Sequence, residues 1–124
     1  MVLTAAAWTE YPATSARVLQ VRSVFDAVAG ERLAQRIVYL AAGGQQAIVV
    51  DLSGIEAVGA DAIAPLVAAA RRLEADGVRI SVVVDSSLQT FAMPGIDAFY
   101  DVAVTAQDAV ARLVRRGSAA RGAA

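Results

Sequence analysis

The carboxylates are the only acid/base resource in this chain, which has twelve Asp and Glu residues and neither histidine nor cysteine. That composition removes Cys/His zinc sites, thiol nucleophiles, imidazole bases and the Ser-His-Asp triad. All eleven basic residues are arginine, so there is no lysine for a phosphate-binding loop, a Schiff base or a pyridoxal linkage. Asp51 and Glu56 flank a strand-to-loop junction, and Asp61 opens the helix that follows. They would share a divalent ion only if the loop folded back on itself. The simpler role is that Asp51 and Asp61 accept nearby backbone N–H groups. Gly43-Gly44, Gly54 and Gly59 form neither a G-x-G-x-x-G pattern nor a phosphate loop and read as turn residues. A nucleotide hydrolase working through Asp51 or Asp61 would have too few groups to position phosphates. No catalytic residue, no metal and no cofactor is therefore expected. Two hydroxyl sites remain where a switch could act: Ser53 at the end of one strand, and Ser86-Ser87 after the next. Their plain roles are a turn residue and a helix N-cap.

The elements that must position these residues belong to one domain. The chain has 124 residues, 57% of them hydrophobic, enough for one core without disulfide staples. A formal net charge of −1 gives no pull toward phosphate backbones, so nucleic acid is not an expected partner. No run of about 18 uninterrupted apolar residues occurs, and residues 1–8 lack the basic start and long apolar stretch of a signal peptide. The expectation is a cytoplasmic protein without membrane insertion.

Residues 1–15 read as an edge strand or loop, with Tyr11-Pro12 biasing the stretch from Thr9 to Ser15 against regular structure. A strand follows over 17–24. Leu33, Ile37, Leu40 and Ala41 then recur at helical spacing until Gly43-Gly44. Residues 47–50 and 80–84 are continuous apolar runs, the pattern of strands covered on both faces. Between them Ile63, Leu66, Val67, Ala70 and Leu73 mark a helix that Gly77 stops, and Pro65 is expected in its first turn. Strand, helix, strand at this spacing is a right-handed crossover. A short helix is expected over 88–92, a turn at Pro94-Gly95, a short segment over 98–102 and a last helix from Thr105 burying Val110, Leu113 and Val114. The sum is an α/β sandwich with a mixed sheet of four to five strands and three to four helices. The domain spans 16–116, and 117–124 reads as a disordered tail.

The segment from Ile48 to Leu66, with Asp51-Leu52-Ser53 at the strand end and Gly59-Ala60-Asp61-Ala62-Ile63 at the helix start, resembles the core signature of STAS domains, the bacterial anti-sigma factor antagonists. The likeness continues through the helix end and strand over 71–84, the Gly95-Ile96 turn and the helix led by Thr105. It implies a non-enzymatic, STAS-like module in partner switching. The unmodified antagonist docks on an anti-sigma factor that is also a serine kinase, and phosphorylation ends the contact. The implied contact residues are Ser53, Gly59, Ala60, Asp61, Ala62 and Ile63, with Ser86 and Ser87 on the neighbouring loop. The chain departs from the family at the phosphate acceptor. Where the family has Asp-Ser-Ser-Gly-Leu, this sequence carries Asp61 in the acceptor position, and no hydroxyl side chain occurs from Gly54 to Ile80. Asp61 is thus a fixed negative charge in the place of a reversible phosphate, or an N-cap, or both. The alternative within the family is a STAS docking subunit of a membrane transport assembly.

Overall fold

The computed structural model describes residues 3–4, 8–58, 60–84 and 101–122. Its strands are β1 (Leu3–Thr4), β2 (Trp8–Ala13), β3 (Ala16–Val21), β4 (Ser23–Phe25), β5 (Ala47–Asp51), β6 (Ile55–Val58), β7 (Arg79–Val83) and β8 (Asp101–Ala103). Its helices are α1 (Ala27–Ala42), α2 (Ala60–Glu74) and α3 (Ala106–Gly122). Five strands form the mixed sheet in the order β2-β3-β5-β7-β8, and the two-residue β1 lies on its β2 edge. The hairpin β2–β3 is antiparallel, whereas β3, β5, β7 and β8 run parallel. A separate parallel pair joins β4 to β6.

Burial explains the order. Every residue of β5 is buried, as the unbroken apolar run Ala47–Val50 requires of a central parallel strand. On one face Leu19, Val21, Ile48, Val50, Ile80 and Val82 meet Leu33 and Ile37 of α1 and Ile63, Leu66 and Leu73 of α2. On the other, Ala16, Val18, Val49, Val83 and Ala103 meet Ala109 and Leu113 of α3. The sheet is therefore filled from both sides, with α1 and α2 together on one face, as right-handed crossovers between successive parallel strands demand.

Local chemistry sets the helix ends. Asp26 is the N-cap of α1, its carboxylate accepting from the Ala29 N–H at 2.8 Å, which starts the helix at Ala27, six residues before Leu33 opens the apolar spacing. Gly44, at φ +101°, turns the chain away after it. The Thr105 hydroxyl accepts from the Asp108 N–H at 3.1 Å, and Asp108 pairs with Arg112 one turn on at 3.0 Å.

Two sequence expectations are corrected here. The stretch read as a loop over 9–15 is mostly β2, in register with β3 from Trp8↔Val21 to Ala13↔Ala16. Among the described residues β1 reaches only Thr9 and Glu10, so Pro12 sits where β2 is an edge and its missing N–H is tolerated. The tail read as disordered is helical as far as Gly122. Ala119 and Ala120 are strong helix formers and continue a ladder already nucleated by the packed turns before them. The expected elements over 88–92, 94–95 and most of 98–102 lie outside the described residues, where Phe91, Phe99 and Tyr100 also fall.

Candidate functional site

The strand end of β5 builds the first part of the site. Asp51 is 4% exposed, and its Oδ1 accepts from the Ser53 N–H at 3.0 Å and from the Ser53 hydroxyl at 2.6 Å. The carboxylate thus closes the turn that follows, the role of a short acidic side chain at a chain reversal. Its charge is also felt by Tyr11. Burial chiefly, and then the Asp51 carboxylate, raise that phenol above its ordinary pKa. Ser53 and Gly54 are exposed, while Leu52 and Ile55 are buried beside them. Among the described residues no group of three or more Asp, Glu, His or Cys stands close enough to hold a metal ion.

Asp61 is exposed in the first turn of α2. The helix begins at Ala60, so Asp61 is inside it and not its N-cap. The carboxylate still lies at the positive end of the helix dipole, where a negative charge is favoured. No hydrogen bond or ion pair joins its side chain to another described residue. Pro65 stands inside the helix and not in its first turn. Having no N–H, it leaves the Asp61 carbonyl without the ordinary i→i−4 bond, at the turn that carries the charge.

Ala62 and Ile63, expected at the contact surface, are 1% and 2% exposed. Both belong to the core, clustered with Leu66 and Ala70 at helical spacing, whereas Asp61 and Ala64 beside them face solvent. They offer no surface to a partner. Gly59, Ser86 and Ser87 lie outside the described residues.

A second cluster has no counterpart in the sequence reading. Glu10 of β2 has a side chain only 2% exposed. Arg36 of α1 donates to both of its oxygens, Nε to Oε1 and Nη2 to Oε2, each at 2.7 Å. Arg17 of β3 stands 3.9 Å from the same carboxylate. The Arg36 hydrogen bonds hold the Glu10 pKa below the ordinary carboxylate value against the opposing effect of burial, and the charges of Arg36 and Arg17 add to them. In turn Glu10 raises the Arg36 pKa. The Arg36 guanidinium also lies 5.1 Å from the centre of the Tyr39 ring, a cation–π distance. The signal available in the sequence was the alternation Trp8, Glu10, Pro12, which places an acid on the core side of a strand.

A cavity of about 420 Å³ opens between the β2–β3 hairpin and the start of α3, lined by Tyr11, Val18, Gln107 and Val110 among others. Among the described residues no charged side chain lines it.

The family model described as Mlab, STAS domain matches residues 10–101. An anti-sigma factor antagonist from Mycobacterium paratuberculosis superposes with a TM-score of 0.71 at 23% identity, covering 89% of this chain and 97% of that one. RsbS of Moorella thermoacetica, in a serine-to-glutamate form, gives 0.72 at 14% identity over 88% of this chain and 96% of its own. SpoIIAA, an anti-sigma factor antagonist in its unphosphorylated form, gives 0.66 at 16% identity over 86% and 97%. At these identities the likeness to the solved structures is one of fold. No curated protein matches the chain. The element order, the Asp51-Ser53 turn leading to α2 and the family match over most of the length agree: the chain belongs to the STAS domain family.

Proposed function

We propose that this protein is a non-enzymatic, protein-binding regulatory domain that acts as an anti-sigma factor antagonist in partner-switching control of transcription. Its partner is an anti-sigma factor of the serine-kinase type or a related regulator, met in the cytoplasm. No helix among the described residues is long and apolar enough to cross a membrane. The observation that carries the reading is Asp61: an exposed carboxylate in the first turn of α2, in a stretch from Gly54 to Ile80 without a hydroxyl side chain. A kinase has nothing to modify there. A phosphate at such a place adds about 1.5 to 2 negative charges that a close-packed interface must desolvate or repel. Asp61 supplies one such charge permanently, as a fixed phosphate mimic. The proposed contact surface is Ser53, Gly59, Ala60 and Asp61, with Ser86 and Ser87.

A second reading, a STAS docking subunit of a membrane transport assembly, draws on the same observation, because a docking piece needs no reversible charge. Paired baits of wild type and Asp61→Ser, used for affinity capture in the native organism, separate the outcomes. A kinase-type anti-sigma factor retained only by the Ser variant makes Asp61 a built-in phosphate mimic. A partner kept by wild type and lost by the variant makes the carboxylate part of a working interface, and the partner's identity decides between regulation and transport. Equal capture by both baits would refute any role for Asp61.

A further inference from the structure

On the solvent face of α1, Val28, Arg32, Arg36 and Tyr39 follow one another at spacings of four, four and three residues. That repeat puts them in one stripe about 16 Å long. Tyr39 is 68% exposed and Val28 56%. An isolated exposed tyrosine is unremarkable, but this one is held in place. Its ring packs on a guanidinium that is itself fixed at two points by the buried Glu10 carboxylate. Rigid aromatic side chains of this kind make contact at little entropic cost.

The charge around it is unbalanced. Arg17 and Arg36 share the single carboxylate of Glu10, and Arg32 is exposed one turn earlier on the same stripe. Three cations therefore face one buried anion. The buried Nε of Arg17 also lacks a hydrogen-bond partner among the described residues. Asp26, the acid at the start of α1, is already engaged with the Ala29 N–H, and Glu31 lies about 80° round the helix from Tyr39 and about 140° from Arg36.

The geometry points to a second docking surface: the Val28–Arg32–Arg36–Tyr39 face of α1 receives an acidic amphipathic helix of a partner protein. Carboxylates of that helix meet Arg32 and Arg36, and apolar side chains lie on Tyr39 and Val28. This inference does not rest on Asp61 or on the identity of the partner bound there.

The test places the photocrosslinker p-benzoylphenylalanine at position 35, where exposed Gln35 adjoins Tyr39 one turn earlier, in the full chain inside its own organism. The same probe at exposed position 74 on α2 serves as control. The expected result is one dominant adduct, whose crosslinked peptide comes from another protein and carries acidic residues at three- and four-residue spacing. Its yield should fall about tenfold in Tyr39→Ala, the weight of a central aromatic anchor, and comparably in Arg32→Glu. Both positions are exposed, so the melting temperature should fall by no more than about 4 °C in each, the weight of one exposed cation–π contact. A peptide from a second copy of this chain, a peptide without acidic residues, an adduct no stronger than at position 74, or a yield indifferent to both substitutions would each overturn the proposal.

Discussion

Replacing Gly30 with alanine tests the packing that sets Asp61 in place. A Cβ at Gly30 would stand 2.2 Å from the Ala62 carbonyl oxygen and 2.9 Å from its carbon and Cα. All three are backbone atoms, so no side-chain rotation relieves the clash. An ordinary contact needs about 3.4 Å, and α2 must therefore move off α1 by roughly 1 Å at its first turns, against a close-packed interior. In helix propensity alone the change is favourable by about 1 kcal/mol. Forced separation of packed elements costs about 1 to 3 kcal/mol, occasionally more. Because the obstacle here is backbone, the upper part of that range applies, and we expect a net loss of about 2 kcal/mol. For a chain of 124 residues this lowers Tm by roughly 8 °C. The assay is urea unfolding followed by circular dichroism. Gly44→Ala is the control: nothing lies within 4 Å of its Cβ, yet φ is +101°. It should lose about 1 kcal/mol through backbone strain alone and leave capture by Asp61-dependent partners unaffected, whereas Gly30→Ala should weaken it. A Gly30→Ala protein as stable as wild type or more so would refute the close approach of the two helices.

Three further outcomes are expected. Glu10→Gln should cost about 1 to 3 kcal/mol at pH 7, discounted because Arg36 and Arg17 keep part of their surface in water. The Glu10 pKa is lowered in the folded state, so its contribution is fully present above the unfolded carboxylate pKa and is lost as pH falls through the folded one. The stability gap between wild type and Glu10→Gln should therefore be constant near neutrality and close below about pH 4, and a gap unchanged down to pH 3 would exclude the ion pair. Thr14, at φ +58° in the two-residue β2–β3 turn, carries a β-branched side chain in a left-handed conformation. Thr14→Gly should raise stability by about 1 kcal/mol in urea titrations. Ser53→Ala removes the 2.6 Å hydrogen bond to Asp51 but keeps the one from its own N–H, and should cost about 1 kcal/mol by the same measurement.

Much of the scaffold was legible because its signals are local. The apolar runs at Ala47–Val50 and Ile80–Val84 announce covered strands, and the helical spacing from Ile63 to Leu73 is that of α2 itself. Likewise the absence of any hydroxyl between Gly54 and Ile80 needs no coordinates to exclude a phosphate acceptor there. What lay beyond reach depends on partners far away in the chain. Residues 8–13 alternate weakly, with an acid and a proline among them, and become a strand only because β3 folds back in register on one side. Glu10 reads as a surface acid until α1 brings Arg36 across 26 residues to pair with it. Ala62 and Ile63 sit in a motif that suggests contact, yet the direction of each side chain is set by how α2 rolls against the sheet and against Gly30. Composition, periodicity and motif thus determined the family, the crossover unit and the chemistry the chain lacks. Tertiary packing alone decided which charges are buried and which residues of the signature reach solvent, since burial is a property of neighbours that the local sequence does not contain.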